Sequence, residues 1–296
     1  MLKRSITGAI LIAFIVGVFV LKVQVSSLFF DGLIMLMSVL GTLEMFRAFG
    51  GLNNFTKKKE NPETETQEGQ EIAEKKVKIS ISQMVVILLY VLSIFPTFYF
   101  VSEIFPLFSL VVAGLLLFIL TVFDHKHCDL ENLGYSFISL FYPSVFLLTM
   151  HFINNMGAGS YQALILVFTV TPVADTMAYL VGRSVKGPKL CPNISPKKTI
   201  SGFIGGLVGG GLGAMITYFI FGDSIFAFEI PNVLTYIILG IVCSAFSVVG
   251  DLTESVIKRN LGLKDMGRIL PGHGGILDRI DSIIFASCFF FVILLF

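Results

Sequence analysis

From Gly250 the chain reads GDLTESVIKRNLGLKDMGRILPGHGGILDRIDS, and this stretch holds the densest set of groups able to do chemistry. It crowds Asp251, Glu254, Lys258, Arg259, Lys264, Asp265, Arg268, His273, Asp278, Arg279 and Asp281 into little more than thirty positions. Asp278 and Asp281 are spaced i, i+3 at the start of a helical run, so their carboxylates share one helix face. The apolar residues Ile276, Leu277, Ile280, Ile283 and Ile284 carry that helix into an apolar segment. Charged groups there are costly unless they are paired or face a wet cavity, and by default they mark a functional site. Arg279 between them would otherwise read as a side chain snorkelling to the membrane surface. Asp251 follows Gly250 at the end of the preceding apolar run. An acid at a helix C-terminus opposes the helix dipole, and a nearby hard cation would offset that. If the two helices are neighbours, Asp251, Asp278 and Asp281 can share Mg²⁺, an ion bound through one or two carboxylates together with substrate phosphates and waters. Between them, Pro271-Gly272-His273-Gly274-Gly275 makes a tight glycine-rich turn. Its glycines permit close backbone approach, and the helix that follows presents free N–H groups to an anion. With Lys258, Arg259, Lys264 and Arg268 upstream, the combination suits a polyphosphate.

A second segment departs from an ordinary loop. Asp175 sits late in an apolar run, and the loop after it, GRSVKGPKLCPNISPKKTISG, offers Arg183, Lys186, Lys189, Lys197 and Lys198 beside Ser195, Thr199 and Ser201. Hydroxyls and lysines at the start of a helix make a phosphate cradle. The plainer reading, a basic loop that only fixes topology, does not require so tight a cluster as Ser195-Pro196-Lys197-Lys198-Thr199.

The elements that must position these groups are membrane helices. Of the 296 residues 55% are hydrophobic and 14% charged, against about 25% charged in a soluble domain. The fold class expected is therefore all-α and polytopic. Runs of roughly 20 apolar residues, enough to span, occur at about 5–21, 28–46, 81–102, 105–123, 135–153, 161–182, 202–221, 233–250 and 276–296. Placing the N-terminus in the cytosol puts every Lys and Arg except Lys22 on the inner side, the asymmetry expected of a membrane protein. Nine spans, with the C-terminus outside and both reactive segments facing the cytoplasm from the cell membrane, is the resulting expectation. The chain divides into an N-terminal membrane region, 1–130, and a C-terminal catalytic region, 131–296. Residues 53–78 are polar and mixed in charge, too poor in apolar surface to fold alone, and read as a flexible cytosolic insertion. Lys3 and Arg4 precede an apolar run with no convincing cleavage site after it, so a retained first helix is expected. Cys128, Cys191, Cys243 and Cys288 show no metal or disulfide spacing and read as apolar filler. The net charge of +1 gives no bulk attraction for nucleic acid, and none is expected as a partner.

At these residues the sequence resembles the phosphatidate cytidylyltransferase, or CDP-diacylglycerol synthase, family. The family signature has the form S-x-(apolar)-K-R-x4-K-D-x-(small)-x2-(apolar)-P-x-H-G-G-(apolar)-x-D-R-(apolar)-D. The chain supplies Ser255, Lys258, Arg259, Lys264, Asp265, Gly267, Leu270, Pro271, His273, Gly274, Gly275, Asp278, Arg279 and Asp281 without a break. The D-x-x-A-Y-x-x-G-R and S-P-K-K-T elements also resemble the family, as Asp175, Ala178, Tyr179, Gly182, Arg183 and Ser195 to Thr199. One departure is visible: relatives commonly carry Glu where this chain has Ser201. The first 130 residues match only in their pattern of spans, and 53–78 looks private to this chain. The resemblance implies transfer of a cytidylyl group from CTP to phosphatidic acid, giving CDP-diacylglycerol and pyrophosphate in phospholipid synthesis. It also implies Mg²⁺ with potassium as a partner ion, and a homodimer. On this reading Asp251, Asp278 and Asp281 hold the metal. Lys258, Arg259, Lys264 and His273 take CTP phosphates, with Asp265 orienting the lysines. Ser195, Lys197, Lys198 and Thr199 hold a phosphate of either substrate, and Asp175 lies next to the metal. Two other readings use the same residues: a CTP-dependent kinase of a lipid alcohol, which would release CDP, and an anion transporter. Transporters often carry internal repeats; none is evident here, and the charges lie at the cytosolic edge.

Overall fold

A computed structural model describes residues 2–50, 79–125, 128–157, 159–221, 233–267, 269–270 and 274–295. The segment 53–78, His273 and Arg268 lie outside the described residues.

Among the described residues ten α-helices carry the fold: α1 (Leu2–Gln24), α2 (Leu28–Ala48), α3 (Ile81–Phe100), α4 (Phe105–Phe123), α5 (Leu130–Ser139), α6 (Phe146–Asn155), α7 (Ser160–Val185), α8 (Ile200–Phe221), α9 (Val233–Asn260) and α10 (Leu277–Leu295). Among the described residues eight stretches are long and apolar enough to cross a membrane, with Leu130–Asn155 counted as one. The ninth expected span, α10, is 19 residues long but carries Asp278, Arg279 and Asp281 in its first turns. The chain is an all-α polytopic membrane protein.

Two of the expected spans differ in form. The fifth is broken: between α5 and α6, Tyr142 leaves helical dihedrals at φ −112° and ψ 109°. The cause is Pro143, whose ring pushes the preceding residue toward extended backbone. The eighth, expected to end at Gly250, runs on to Asn260. Nothing after Gly250 breaks a helix until Gly262, whose φ is +66°. There Leu263 N–H bonds the Lys258 carbonyl at 2.8 Å and Gly262 N–H bonds that of Arg259 at 3.1 Å, the paired closure of a helix ending on a left-handed glycine. Asp251 therefore lies inside a helix, and the dipole argument made for it at a terminus does not apply.

Packing divides the chain into two compact units, Met1–Met37 with Val145–Phe296, and Ser38–Ser144. This boundary differs from 1–130 and 131–296, because α1 belongs with the C-terminal helices. Phe19 on α1 packs edge-on against Phe168 of α7, with ring centroids 5.3 Å apart. Lys22, the one cation outside the expected inner loops, bonds the side-chain and backbone oxygens of Asn154 on α6.

In the larger unit, α8 is sandwiched between α7 and α9 through glycines. A Cβ added at Gly205 would fall 2.6 Å from Val181 Cβ on α7, and one at Gly210 would fall 2.5 Å from the Gly240 carbonyl on α9. Small residues allow this approach, and dispersion between close backbones replaces the hydrophobic drive that lipid cannot supply. Gly250 does the same between α9 and α10, where a Cβ would collide with the Asp281 carbonyl and stand 3.1 Å from Phe285 Cβ. The helices that carry the acids are thus direct neighbours. In the smaller unit, α3 and α4 form a hairpin, and Gln83 receives Ser136 Oγ at 3.0 Å while donating to Thr121 Oγ1 at 3.2 Å.

The α7–α8 connection holds a short antiparallel hairpin, β1 (Lys189–Cys191) and β2 (Ser195–Thr199).

Candidate active site

Close packing at Gly250 brings the C-terminal third of α9 against the start of α10. On α9, Asp251, Glu254, Ser255 and Lys258 recur at i, i+3, i+4 and i+7, one face of a helix. Lys258 is the hub. Its Nζ donates to Glu254 Oε2 and to Asp278 Oδ1, each at 2.8 Å. The lysine side chain is 12% exposed, and those of Glu254 and Asp278 are 0% and 5% exposed. A buried cation between two acids is held by charge-assisted bonds, and removing it would leave both acids uncompensated.

Asp278 is engaged on both oxygens. Its Oδ2 also accepts from Gly275 N–H at 2.8 Å and Met266 N–H at 2.9 Å. The Gly275 bond resembles the reach-back of an acid in the first helical turn, and the Met266 bond ties the loop after α9 to α10. Gly274 lies inside this arrangement at φ +88°, and a Cβ on it would stand 2.9 Å from Asp278 Oδ2. Glycine is thus required there both by backbone conformation and by space. With three donors on about four acceptor positions, Asp278 serves mainly to fix Lys258 and the loop.

Asp281, one turn further, is buried and accepts from Ser282 N–H at 2.7 Å. It lies within electrostatic reach of Asp251, Glu254 and Lys258. Glu254 is fully buried, and its Oε1 has no hydrogen-bond partner among the described residues. A buried oxygen of this kind calls for a proton, a water or a cation. Sequence reasoning gave Glu254 no role, because its i+4 pairing with Lys258 reads as an ordinary surface pair until burial is known.

The hairpin closes the other side. Lys198 Nζ bonds Asp251 Oδ2 at 2.7 Å, and Arg259 Nε donates to the Ile194 carbonyl at 3.2 Å. These two bonds fasten β2 and the turn before it onto α9. The ladder is irregular, with Lys189 facing Thr199 and Cys191 facing Ser195, so side chains along β2 do not simply alternate. Lys198 turns toward the acids, while Lys197 is exposed. Thr199 is buried and caps α8, its Oγ1 accepting from Gly202 N–H at 3.1 Å and lying 3.1 Å from Ser201 Oγ. Ser201 Oγ donates to the Lys186 carbonyl. Ser201 thus serves as a loop-closing hydroxyl. The four residues expected to cradle one phosphate are thus split, and only Lys198 joins the acid cluster. Lys197, Lys264 and Asp265 are exposed, Ser255 is buried with its Oγ 3.4 Å from Asp251 Oδ1, and Gly275 is buried.

Asp175 on α7 faces the same region, within electrostatic reach of Asp251, Asp281, Lys198 and Arg279. The Gly182–Gly202 contact keeps α7 and α8 close beside it: a Cβ on Gly182 would come within 2.8 Å of Thr199 Oγ1. Asp175, Asp278, Arg279 and Asp281 form the polar end of a cavity of about 620 Å³ between α1, α7 and α10, whose remaining walls are mainly apolar.

The donor chemistry fits a hard cation in part. Asp251, Glu254 and Asp281 offer carboxylate oxygens in one place, one of them unpartnered. Among the described residues no group of three or more His, Cys, Asp or Glu side chains is placed to hold a metal ion, so a cation here would need further oxygens from substrate and water. The thiol of Cys128, in the loop before α5, is pushed above its ordinary range by desolvation, consistent with inert filler.

Residues 63–296 match the model of the cytidylyltransferase family, a match that begins inside 53–78 and takes in α3 and α4 as well as the motifs above. A phosphatidate cytidylyltransferase of Staphylococcus haemolyticus is 37% identical over 177 residues, covering 60% of this chain and 65% of the relative. That of Aquifex aeolicus is 32% identical over 200 residues, covering 67% and 68%. That of Brucella abortus is 34% identical over 159 residues, covering 54% and 56%. The aligned stretches thus span between about half and two thirds of these relatives' lengths. With 234 of its 296 residues inside one family model and its acid, lysine and glycine motifs gathered at one membrane boundary, the chain belongs to the cytidylyltransferase family.

Proposed function

We propose that the protein is a phosphatidate cytidylyltransferase that joins CTP to phosphatidic acid in the cell membrane, with its site open to the cytoplasm. The observation that carries the proposal is the junction of two unlike surfaces: a cluster of acids and lysines from α9, α10 and β2 opens directly onto an apolar cavity between membrane helices. A substrate pair with one polyphosphate and one lipid fits that junction. The named relatives support the same activity.

An anionic oxygen of the phosphatidate attacks the α-phosphorus of CTP, the bond to the β-phosphate oxygen breaks, and pyrophosphate leaves with the electron pair. No protein nucleophile is required. The barrier lies in bringing two polyanions together and in charge growing on the leaving group, so positioning and fixed cations do most of the work. Lys258, locked by Glu254 and Asp278, and Lys198, held by Asp251, supply positive charge at fixed points. Arg279 sits where the lipid phosphate would enter. Lys264, Arg259 and His273 complete the nucleotide side, and Asp265 orients the loop. Asp251, Glu254 and Asp281 would hold Mg²⁺, which when bound supplies Lewis-acid stabilisation of phosphoryl oxygens. Asp278 is reassigned from ligand to positioning group, because its oxygens already hold Lys258 and two backbone N–H groups. No donor set among the described residues is assigned to potassium. The homodimer implied by family resemblance belongs to the same proposal.

Purified protein given labelled CTP, phosphatidate and Mg²⁺ should place the label in a lipid and release one pyrophosphate per lipid formed. EDTA should stop the reaction and excess Mg²⁺ restore it. Release of CDP with a phosphorylated lipid would instead establish a kinase.

A further inference from the structure

The cavity has a far end as well as a mouth. Asp175 and Tyr161 both line it, and the 14 residues separating them along α7 correspond to about 21 Å at 1.5 Å per residue. One leaflet of a bilayer's hydrocarbon core is about 15 Å deep. The cavity therefore extends well past the depth of the leaflet at its mouth, farther than the reacting headgroup requires. Between mouth and end its walls are mainly apolar, with Leu11, Ile15 and Val16 from α1 facing Ile165, Phe168 and Pro172 from α7.

Rings line the cavity from its middle to its far end. Phe19 lies 5.3 Å from Phe168 and 6.1 Å from Tyr161, and Tyr161 lies 6.2 Å from Phe221 at the end of α8. Phe30 backs Phe19 at 5.2 Å. Edge-to-face ring clusters are stiff and well packed, unlike an aliphatic wall that can open by rotamer changes. The α1 wall is also fastened just beyond the rings, by Lys22 on Asn154. A flexible ligand reaching down from the acid end thus meets packed rings.

We propose that this ring cluster gauges the length of the lipid's acyl chain, so that Phe19, Tyr161, Phe168 and Phe221 determine which phosphatidates react well. The inference rests on the function proposed above and extends it to substrate selection. The occupant is an acyl chain of the reacting lipid, because the cavity is continuous with Arg279 and Asp281 at its mouth. A bystander lipid lodged there would not discriminate among substrates.

The test competes a short-chain and a long-chain phosphatidate in one micellar reaction and reads the product ratio by mass spectrometry. Tyr161→Ala should lengthen the cavity and raise the long-to-short ratio at least about threefold, the order expected when a long chain no longer overpacks against the ring. Val16→Phe should fill the cavity midway and lower the ratio by a similar factor; Val16 is 55% exposed, so folding tolerates the change. Phe219→Ala, on an exposed face outside the cavity, should leave it unchanged. Ratios equal to wild type in both cavity variants would overturn the gauge while leaving the activity intact. A wild-type protein that forms no liponucleotide would overturn the proposed function and the gauge together.

Discussion

At the residue scale, the site depends on buried charges that satisfy one another. Lys258 holds Glu254 and Asp278 at 2.8 Å each, and replacing it by Met would leave two buried acids without their cation. Such a loss costs about 3–5 kcal/mol, so Lys258→Met should lower the thermal midpoint by many degrees and Lys258→Arg by much less; equal midpoints would show that the pair carries little. Glu254→Gln is the complementary change, since it keeps shape and removes charge at the oxygen with no partner. Turnover should fall by about a hundredfold with the midpoint unchanged or raised, and undiminished turnover would remove Glu254 from the site. The sequence made Asp251, Asp278 and Asp281 conspicuous because acids next to apolar runs are expensive. It could not distinguish Asp278, saturated by Lys258 and backbone N–H groups, from Glu254, buried with a bare oxygen. That difference arises only when α9 and α10 meet.

At the element scale, glycines set how closely the helices approach, and hence where the acids stand. Gly210→Leu would drive a side chain into Gly240 and Ser244 of α9, and should cost most of the folded protein recovered by size-exclusion chromatography. Gly32→Ala, with nothing within 4 Å of the added carbon, should be neutral or raise stability by about 0.5–1 kcal/mol. A Gly210→Leu protein that folds normally would refute close α8–α9 packing. Most spans were readable to within a few residues from hydropathy, since each is a long unbroken apolar run. The departures have local causes. Asp251 to Asn260 contain neither glycine nor proline after a glycine that looked like an end, Pro143 bends a run that is apolar on both sides, and Ser195–Thr199 is too short and lysine-rich to announce a strand. The hairpin matters most, because it sends Lys198 to the acids and leaves Lys197 exposed.

At the scale of the whole molecule, the charge asymmetry across the spans supports the proposal that the acid–lysine cluster faces the cytosol, where CTP would be available. Lys22, the single exception to that asymmetry, is accommodated by Asn154 and by the attraction of Asp31. If the nine-span topology expected from the sequence holds, a reporter joined after Phe296 should be extracytoplasmic, and a cytosolic signal would contradict it. The central claim is that acids and lysines from α9, α10 and β2 act together as one cation-dependent nucleotide site. Equilibrium binding of CTP to the purified protein tests it most directly. The account predicts saturable binding with Mg²⁺ that weakens at least about tenfold with EDTA and likewise in Asp281→Asn, whose melting stays near wild type. Equal binding with and without Mg²⁺, or in Asp281→Asn and wild type, would contradict it.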